Sequence, residues 1–97
     1  MRQRIPCVYI LASRRNGTLY IGVTSDLPSR VWQHKHDQVP GFTHRHRIHT
    51  LVWYEVHDTM KSAIHREKAI KQWRRTWKIK LIEDMNPYWH DLHGGIA

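Results

Sequence analysis

The sequence predicts an α+β fold, in which one small domain holds a three-stranded, mainly antiparallel sheet flanked by three helices. Two β-prone runs separated by Asn16-Gly17 have the pattern of a hairpin. A third run, residues 50–56, is rich in β-branched and aromatic residues. Three segments with helical signals complete the order β-β-α-β-α-α.

The hairpin is expected to join residues 7–12 to residues 18–23. If Asn16-Gly17 is a two-residue tip, counting pairs Ala12 with Ile21. Cross-strand partners share a face, so one side of the hairpin is apolar, and a register shift of two keeps that split. The other side carries two phenols beside a glycine, an unusual surface for a core: Tyr9, Leu11, Tyr20 and Gly22.

The segment after the hairpin is predicted to be a helix over about residues 27–37. The polar run 24–26 supplies caps, and Pro28 lies in the first turn. Arg30 lies four residues before His34, so both heads share an edge of the buried stripe and can face a groove. The alternative is a solvated basic helix.

Residues 38–49 contain Pro40-Gly41 and are expected to form a loop. Their alternation of His and Arg leaves two interpretations, a histidine metal site or a basic strip that contacts phosphate. Zinc sites usually add Cys or a carboxylate, so the basic strip, including Thr43 and Arg45, is favoured. The candidate metal ligands are His44, His46 and His49.

Residues 50–56 are followed by Thr59, which is expected to cap a helix over about 59–74. Glu67 falls in the middle of the apolar stripe of that helix. A carboxylate there is costly unless a partner neutralises it. The partner is either Lys71 or a neighbour such as Arg66, in a structural ion pair, or a divalent cation, and position alone leaves both kinds of partner open. The stripe consists of Met60, Ala63, Ile64 and Ile70.

The rest of the chain predicts one short helix and a packed tail. Thr76 is expected to cap a helix over about 77–84, which Asn86-Pro87 ends. The aromatic residues after it are expected to pack back onto the domain, and 93–97 reads as a frayed end.

The length of 97 residues and the net charge limit the classes of protein to which this chain can belong. The chain has room for one domain, 1–97, with a core over about 5–92. Sixteen Lys and Arg against eight Asp and Glu give a net charge of +8. That balance predicts a polyanionic partner, either nucleic acid or an anionic membrane surface.

Cysteine usage and hydropathy narrow these classes further. Cys7 is the single cysteine, which excludes an intramolecular disulfide and a cysteine-based zinc site. A reducing cytoplasm fits this usage, so we expect a cytoplasmic protein. No stretch approaches the roughly 20 apolar residues of a membrane span, and we expect no membrane partner.

Two tripeptides, Cys7-Val8-Tyr9 and Tyr20-Ile21-Gly22, resemble the two halves of the GIY-YIG signature. Over about residues 5–92 the chain resembles the GIY-YIG nuclease superfamily, specifically its small stand-alone bacterial members. Cys7 and Val8 depart from the first tripeptide, whereas Tyr9 is retained. Further matches follow in chain order: Arg30, His34, Gly41-Phe42-Thr43, Arg66-Glu67-Lys68 and Asn86-Pro87-Tyr88-Trp89.

The resemblance implies a metal-dependent endonuclease that hydrolyses phosphodiester bonds in DNA. It implies that Tyr9 is the general base or its close assistant and that Tyr20 orients the water or binds the scissile phosphate. Arg30 would clamp the phosphate, and His34 would assist proton movement or bind phosphate. Glu67 would hold Mg²⁺ or Mn²⁺. A tyrosine acting as base at neutral pH requires nearby positive charge, which Arg30 and the metal would supply.

The resemblance also implies roles around this centre. Asn86 resembles a late asparagine that positions backbone or substrate, and Gly22 is expected to let the substrate come close. We expect Thr43, Arg45 and Lys71 to contact the substrate.

Two functions from different classes remain. The first is the endonuclease, with sequence preference that is weak or supplied by a protein partner, and with a role in DNA repair or recombination. The alternative is a non-catalytic, basic nucleic-acid-binding module. Whether the DNA is duplex, single-stranded or branched, or the substrate RNA, is left open.

Overall fold

The computed structural model describes residues 4–96 and confirms the predicted α+β class and element order. A short additional helix lies between the first long helix and the third strand. The elements are β1 (Cys7–Ala12), β2 (Leu19–Thr24), α1 (Leu27–Lys35), α2 (Phe42–Arg45), β3 (Thr50–Val56), α3 (Met60–Gln72), α4 (Arg75–Met85) and a final 3-10 helix (Leu92–Gly95).

The sheet has the order β2-β1-β3, and both strand pairs are antiparallel. The central strand β1 is buried along its whole length, because helices cover both of its faces. The first face, here called the α3 face, packs Val8, Ile10 and Ala12 against Ala63, Ile70 and Ile82. The second, the α1 face, packs Cys7, Tyr9 and Leu11 against Leu27, Val31 and Ile48. The edge strand β2 borders both layers.

The hairpin register differs from the predicted one by two residues. Ala12 pairs with Leu19 rather than with Ile21. The turn spans residues 14–17 and is closed by a backbone hydrogen bond of 2.9 Å between its first and last residues. Asn16, its third residue, takes the left-handed conformation with φ 59°. Because the shift is even, every side chain stays on its predicted face.

Two helix N-termini form as the polar residues before them predict. The carboxylate of Asp26 accepts a hydrogen bond from the backbone N–H of Ser29 at 3.4 Å, so α1 begins at Leu27. The hydroxyl of Thr59 accepts from the backbone N–H of Ser62 at 3.1 Å and caps α3.

The last long helix begins earlier than predicted. Arg74, rather than Thr76, occupies the N-cap of α4, and it makes no side-chain cap hydrogen bond. Thr76 lies within the first turn instead. The bend between α3 and α4 falls at Trp73, whose extended backbone ends α3.

Two segments differ from expectation because short-range patterns did not reveal them. The predicted loop 38–49 contains α2, which follows Gly41 at φ 104° and is too short to show a helical period. Part of the expected frayed end forms the 3-10 helix. The carboxylate of Asp91 accepts backbone N–H bonds from His93 at 3.1 Å and Leu51 at 3.3 Å, which ties the tail to β3. Residue 97 lies outside the described part of the chain.

Within residues 4–96, no helix combines the length and the apolar character that crossing a membrane requires.

Candidate active site

Tyr9 on β1 lies directly opposite Gly22 on β2, and the ring of Tyr9 covers that glycine. A Cβ atom at Gly22 would lie 2.5 Å from both Cζ and Oη of Tyr9, far inside contact distance. We expected Gly22 to admit the substrate. The phenol fills the space above Gly22, so the absence of a Cβ lets the ring of Tyr9 lie there. Approach of the substrate at Gly22 stays a prediction.

A buried chain of polar side chains runs from Tyr9 through His34 to Thr43. The hydroxyl of Tyr9 lies 3.2 Å from Nε2 of His34, and Nδ1 of His34 lies 3.0 Å from Oγ1 of Thr43. A neutral imidazole has one donor and one acceptor nitrogen, so both contacts can be satisfied together. Thr43 is 3% exposed and hydrogen-bonds His34, and its contact with the substrate stays a prediction.

The side chains of Tyr9 and His34 are both neutral near pH 7. Burial lowers the pKa of His34 to about 4, assisted by the charges of Arg30 and His49. Burial raises the pKa of Tyr9 to about 12. The hydrogen bond and the charge of Arg30 oppose this rise in part, whereas Tyr20 and, least of all, Glu67 add to it. Proton transfer from Tyr9 to His34 is therefore strongly unfavourable in the substrate-free protein. The phenol of Tyr9 could act as a base near neutral pH only where further positive charge, such as that of a cation, lowered its pKa.

Tyr20 and Arg30 lie next to Tyr9. Together with Tyr9, His34 and Glu67 they are here called the Tyr9 group. The ring centre of Tyr20 lies 6.3 Å from that of Tyr9 and 5.4 Å from that of His34. Arg30 on α1 is half-buried, and its Nη1 donates to Oε1 of Gln33 at 3.2 Å. A guanidinium held in this way keeps donors for an anionic ligand in a fixed orientation. Gln33 was missed at sequence level, although its position three residues after Arg30 was a usable signal.

Glu67 approaches the group from the other layer of the fold. Helix α3 packs on the α3 face and contacts the edge strand β2, yet the charge of Glu67 acts on Tyr9 and raises its pKa. The carboxylate side chain is 12% exposed, and its Oε2 lies 3.2 Å from Nζ of Lys71. The ion-pair partner considered for Glu67 is therefore present. The buried stripe is narrower than predicted, because Met60 and Ile64 are more than one-third exposed.

The histidine-rich loop does not form the metal site that was considered. Nε2 of His49 lies 2.7 Å from Oδ1 of Asp37, and Nδ1 of His44 lies 3.6 Å from the same oxygen. Across residues 4–96, no three or more His, Cys, Asp or Glu side chains gather in a position to hold a metal ion. Glu67 is the one carboxylate among the candidate residues around Tyr9.

Asn86 lies apart from the hydrogen bonds of the Tyr9 group. It is 4% exposed and occupies the C-cap of α4. Its Nδ2 donates to the carbonyl oxygens of Val52 at 3.1 Å and His90 at 2.8 Å, and its Oδ1 accepts from the backbone N–H of His90 at 3.0 Å. These contacts position backbone. Contact of Asn86 with substrate stays a prediction, as it does for the exposed side chains of Arg45 and Lys71.

Comparison with known proteins matches the sequence of this chain to one family. The family model described as the GIY-YIG catalytic domain matches residues 5–80. The UPF0213 protein SSP2268 of Staphylococcus saprophyticus is 35% identical over 77 residues, which cover 79% of this chain and 93% of that protein. The UPF0213 protein SAV0488 of Staphylococcus aureus strain Mu50 matches with the same identity and coverage.

A solved structure shows the same fold. The solution NMR structure of the UPF0213 protein BH0048 from Bacillus halodurans is similar with a TM-score of 0.56 at 23% identity, and the match covers 90% of this chain and 92% of that one. Both halves of the signature and the residues around Tyr9 lie within the matched segment 5–80, which spans most of the chain. The chain therefore belongs to the GIY-YIG family and has the nuclease-type fold of that family.

Proposed function

We propose that this protein is a metal-dependent endonuclease that hydrolyses phosphodiester bonds in DNA. One observation carries the proposal. Four side chains of the types that phosphodiester hydrolysis uses, drawn from three elements, interact with the phenol of buried Tyr9 on β1: Tyr20, Arg30, His34 and Glu67.

Arg30 is the group that would bind the phosphate. Its guanidinium is half-buried, interacts with the hydroxyl of Tyr9 and is held by Gln33. A fixed guanidinium can donate two parallel hydrogen bonds to phosphate oxygens. Because those donors are already oriented, they also stabilise the negative charge that develops on the phosphoryl group in the transition state.

Tyr9 and His34 would orient the attacking water. The phenol of Tyr9 stays protonated at neutral pH, and its oxygen can both accept and donate a hydrogen bond. Nε2 of His34 hydrogen-bonds that hydroxyl, and Oγ1 of Thr43 hydrogen-bonds Nδ1 of His34. Tyr20, whose ring lies next to those of Tyr9 and His34, would contact the same water or the phosphate.

Glu67 would hold the divalent cation. A carboxylate oxygen is a suitable ligand for Mg²⁺ or Mn²⁺, and a single protein carboxylate leaves the remaining positions for water and substrate oxygens. Such a cation supplies an activated water and polarises the phosphoryl oxygen. In this structure the ammonium group of Lys71 neutralises Glu67. The side chain of Lys71 is 49% exposed, so it can move away when a cation binds.

The alternative is a basic nucleic-acid-binding module without turnover. The net charge of +8 supports it as well as it supports the enzyme. Binding that depends on counterion release weakens with salt but does not require a divalent cation. Hydrolysis by the proposed mechanism does require one, so chelation separates the two functions.

The proposal is tested by incubating the protein with labelled single-stranded, duplex and branched DNA, and with RNA, in Mg²⁺, in Mn²⁺ or in EDTA. Internal cleavage of DNA that EDTA abolishes is the expected result. Arg30→Ala should lose cleavage and keep its fold. Arg15→Ala is the matched control, because Arg15 is an exposed arginine in the hairpin turn and lies outside the Tyr9 group. Undiminished cleavage by Arg30→Ala, or binding without cleavage on every substrate, would contradict the proposal.

A further inference from the structure

A second feature of the molecule is a cleft of about 840 Å³ at the hairpin end of the sheet. It lies between the hairpin turn, the segment that follows α2 and the first turns of α4. None of the residues that form the Tyr9 group lines it. The side chains that give it its character are Arg14, His46, Arg47, Arg75 and Lys78.

The cleft concentrates positive charge. Four of its side chains are cationic at neutral pH, and of the described residues that line it none is acidic. Cationic groups collected in a concave surface add their potentials and attract anions. The remaining lining is mostly small and polar, including Ser13, Asn16 and Thr18.

Arg75 fixes the shape of the cleft. Its Nη2 donates to the carbonyl oxygens of Asn16 at 2.8 Å and of Gly17 at 2.5 Å, which joins the start of α4 to the hairpin turn. These bonds use both hydrogens of Nη2, so the donors on Nη1 and Nε of the same guanidinium remain for a ligand. The turn that carries Arg14 is thus held in place before any ligand binds.

The position of the cleft relates it to the Tyr9 group. Thr18 lies two residues from Tyr20 along the hairpin, and Ser13 lies four residues from Tyr9. At about 3.3 Å per residue, the backbone that lines the cleft begins roughly 7–13 Å along the strands from the backbone of the two tyrosines. Phosphates of one strand of duplex DNA follow each other at about 3.4 Å along the helix axis, so this distance corresponds to about two to four nucleotides.

We propose that this cleft is a second phosphate-binding site, which holds the sugar–phosphate backbone of the nucleic acid about two to four nucleotides from the bond that is cut. The inference rests on the proposed function, because it takes the substrate to be the polynucleotide that reaches the Tyr9 group. The cleft contributes affinity and substrate register, while the Tyr9 group contributes the chemistry.

The test measures binding of labelled DNA of about 20 nucleotides, single-stranded and as a duplex, at several salt concentrations in EDTA. The double variant Arg14→Gln/Arg47→Gln removes two charges from the cleft. The control double variant Arg15→Gln/Lys61→Gln removes two charges from exposed positions outside it, one of them in the same turn. Both variants carry the same net charge.

We expect the slope of log K against log salt to become shallower by about 1.8 for duplex, or about 1.4 for single-stranded DNA, in the cleft variant only. Equal slopes in the two variants would overturn this inference and leave the proposed function standing. Failure of the unaltered protein to bind any of the probes would overturn both. A different outcome is that inorganic phosphate stabilises the unaltered protein against unfolding, but not the cleft variant, while the two bind DNA equally. That result would assign the cleft to small anions and would also overturn the inference.

Discussion

The hydroxyl of Tyr9 and Nε2 of His34 lie 3.2 Å apart, and each of the two residues is only 1% exposed. This contact joins the central strand β1 to α1 through two groups that are both neutral near pH 7. A neutral, buried pair can keep its hydrogen bond without a compensating charge. It is therefore a structural link as well as part of the candidate active site, and its protonation affects both properties.

The first prediction concerns stability at low pH. The pKa of His34 is about 4 in the folded protein and about 6.5 in an unfolded chain. Between these values only the unfolded state binds the proton, so the free energy of unfolding is highest above about pH 6.5 and falls as pH drops towards 4. The loss reaches roughly 3 kcal/mol by linkage. Urea unfolding across this range should show a weaker pH dependence in His34→Gln than in the unaltered protein.

The control for this prediction is His65→Gln, since His65 is exposed on α3. Its pH dependence should match that of the unaltered protein. If His34→Gln kept the same slope as His65→Gln, the acid-sensitive group would not be His34.

The second prediction concerns Gly22→Ala. The added methyl group would meet the ring of Tyr9 at 2.5 Å, and that ring is buried and cannot swing into solvent. We expect a loss of about 1–3 kcal/mol in the free energy of unfolding, from overpacking, together with loss of cleavage as Tyr9 is displaced. Gly94→Ala is the control, because nothing lies within 4 Å of a Cβ at that position. Full activity in Gly22→Ala would show that the position of Tyr9 is not critical.

The third prediction separates the two roles of Glu67. Lys71→Gln removes the ion pair but keeps the carboxylate, whereas Glu67→Gln removes the carboxylate. A pair whose lysine is largely exposed contributes at most about 1 kcal/mol, so both variants should unfold at similar urea concentrations. Cleavage should be lost only in Glu67→Gln, and Lys71→Gln should at most weaken substrate binding. Equal cleavage rates in the two variants would mean that Glu67 serves the ion pair and no metal.

The fourth prediction concerns Asn86. Asn86→Ala leaves the buried carbonyl of Val52 and the polar backbone atoms of His90 without partners. We expect a loss of about 2–3 kcal/mol in the free energy of unfolding, measured by urea titration. Where the protein is still folded, the KM for DNA should be little changed. An unchanged stability with a large rise in KM would assign Asn86 to substrate contact instead.

Sequence reasoning placed the strands and the faces of the hairpin well, and it placed the pairing less well. The side-chain period of a strand is two, so the division between the apolar side and the side of Tyr9 survived a register shift of two residues. The register itself depends on which residues of the turn take a positive φ. Both Asn16 and Gly17 tolerate that conformation, and in the structure Asn16 adopts it inside a longer turn.

The members of the candidate site were predicted more completely than their contacts. Tyr9, Tyr20, Arg30 and Glu67 could be named because each residue type fits a signature position. The hydrogen bond between His34 and Thr43 could not be foreseen, because it depends on how α2 folds back against α1. Likewise, burial sets the pKa of Tyr9, and burial depends on packing that no local spacing encodes.

The candidate residues come from both layers that cover the sheet. The phenols of Tyr9 and Tyr20 lie on the α1 face, whereas Glu67 belongs to α3, which packs on the other face. A molecule in which only one helical layer had packed against the sheet would bring together only part of these candidate residues. The proposed cleavage of DNA therefore depends on the complete native fold.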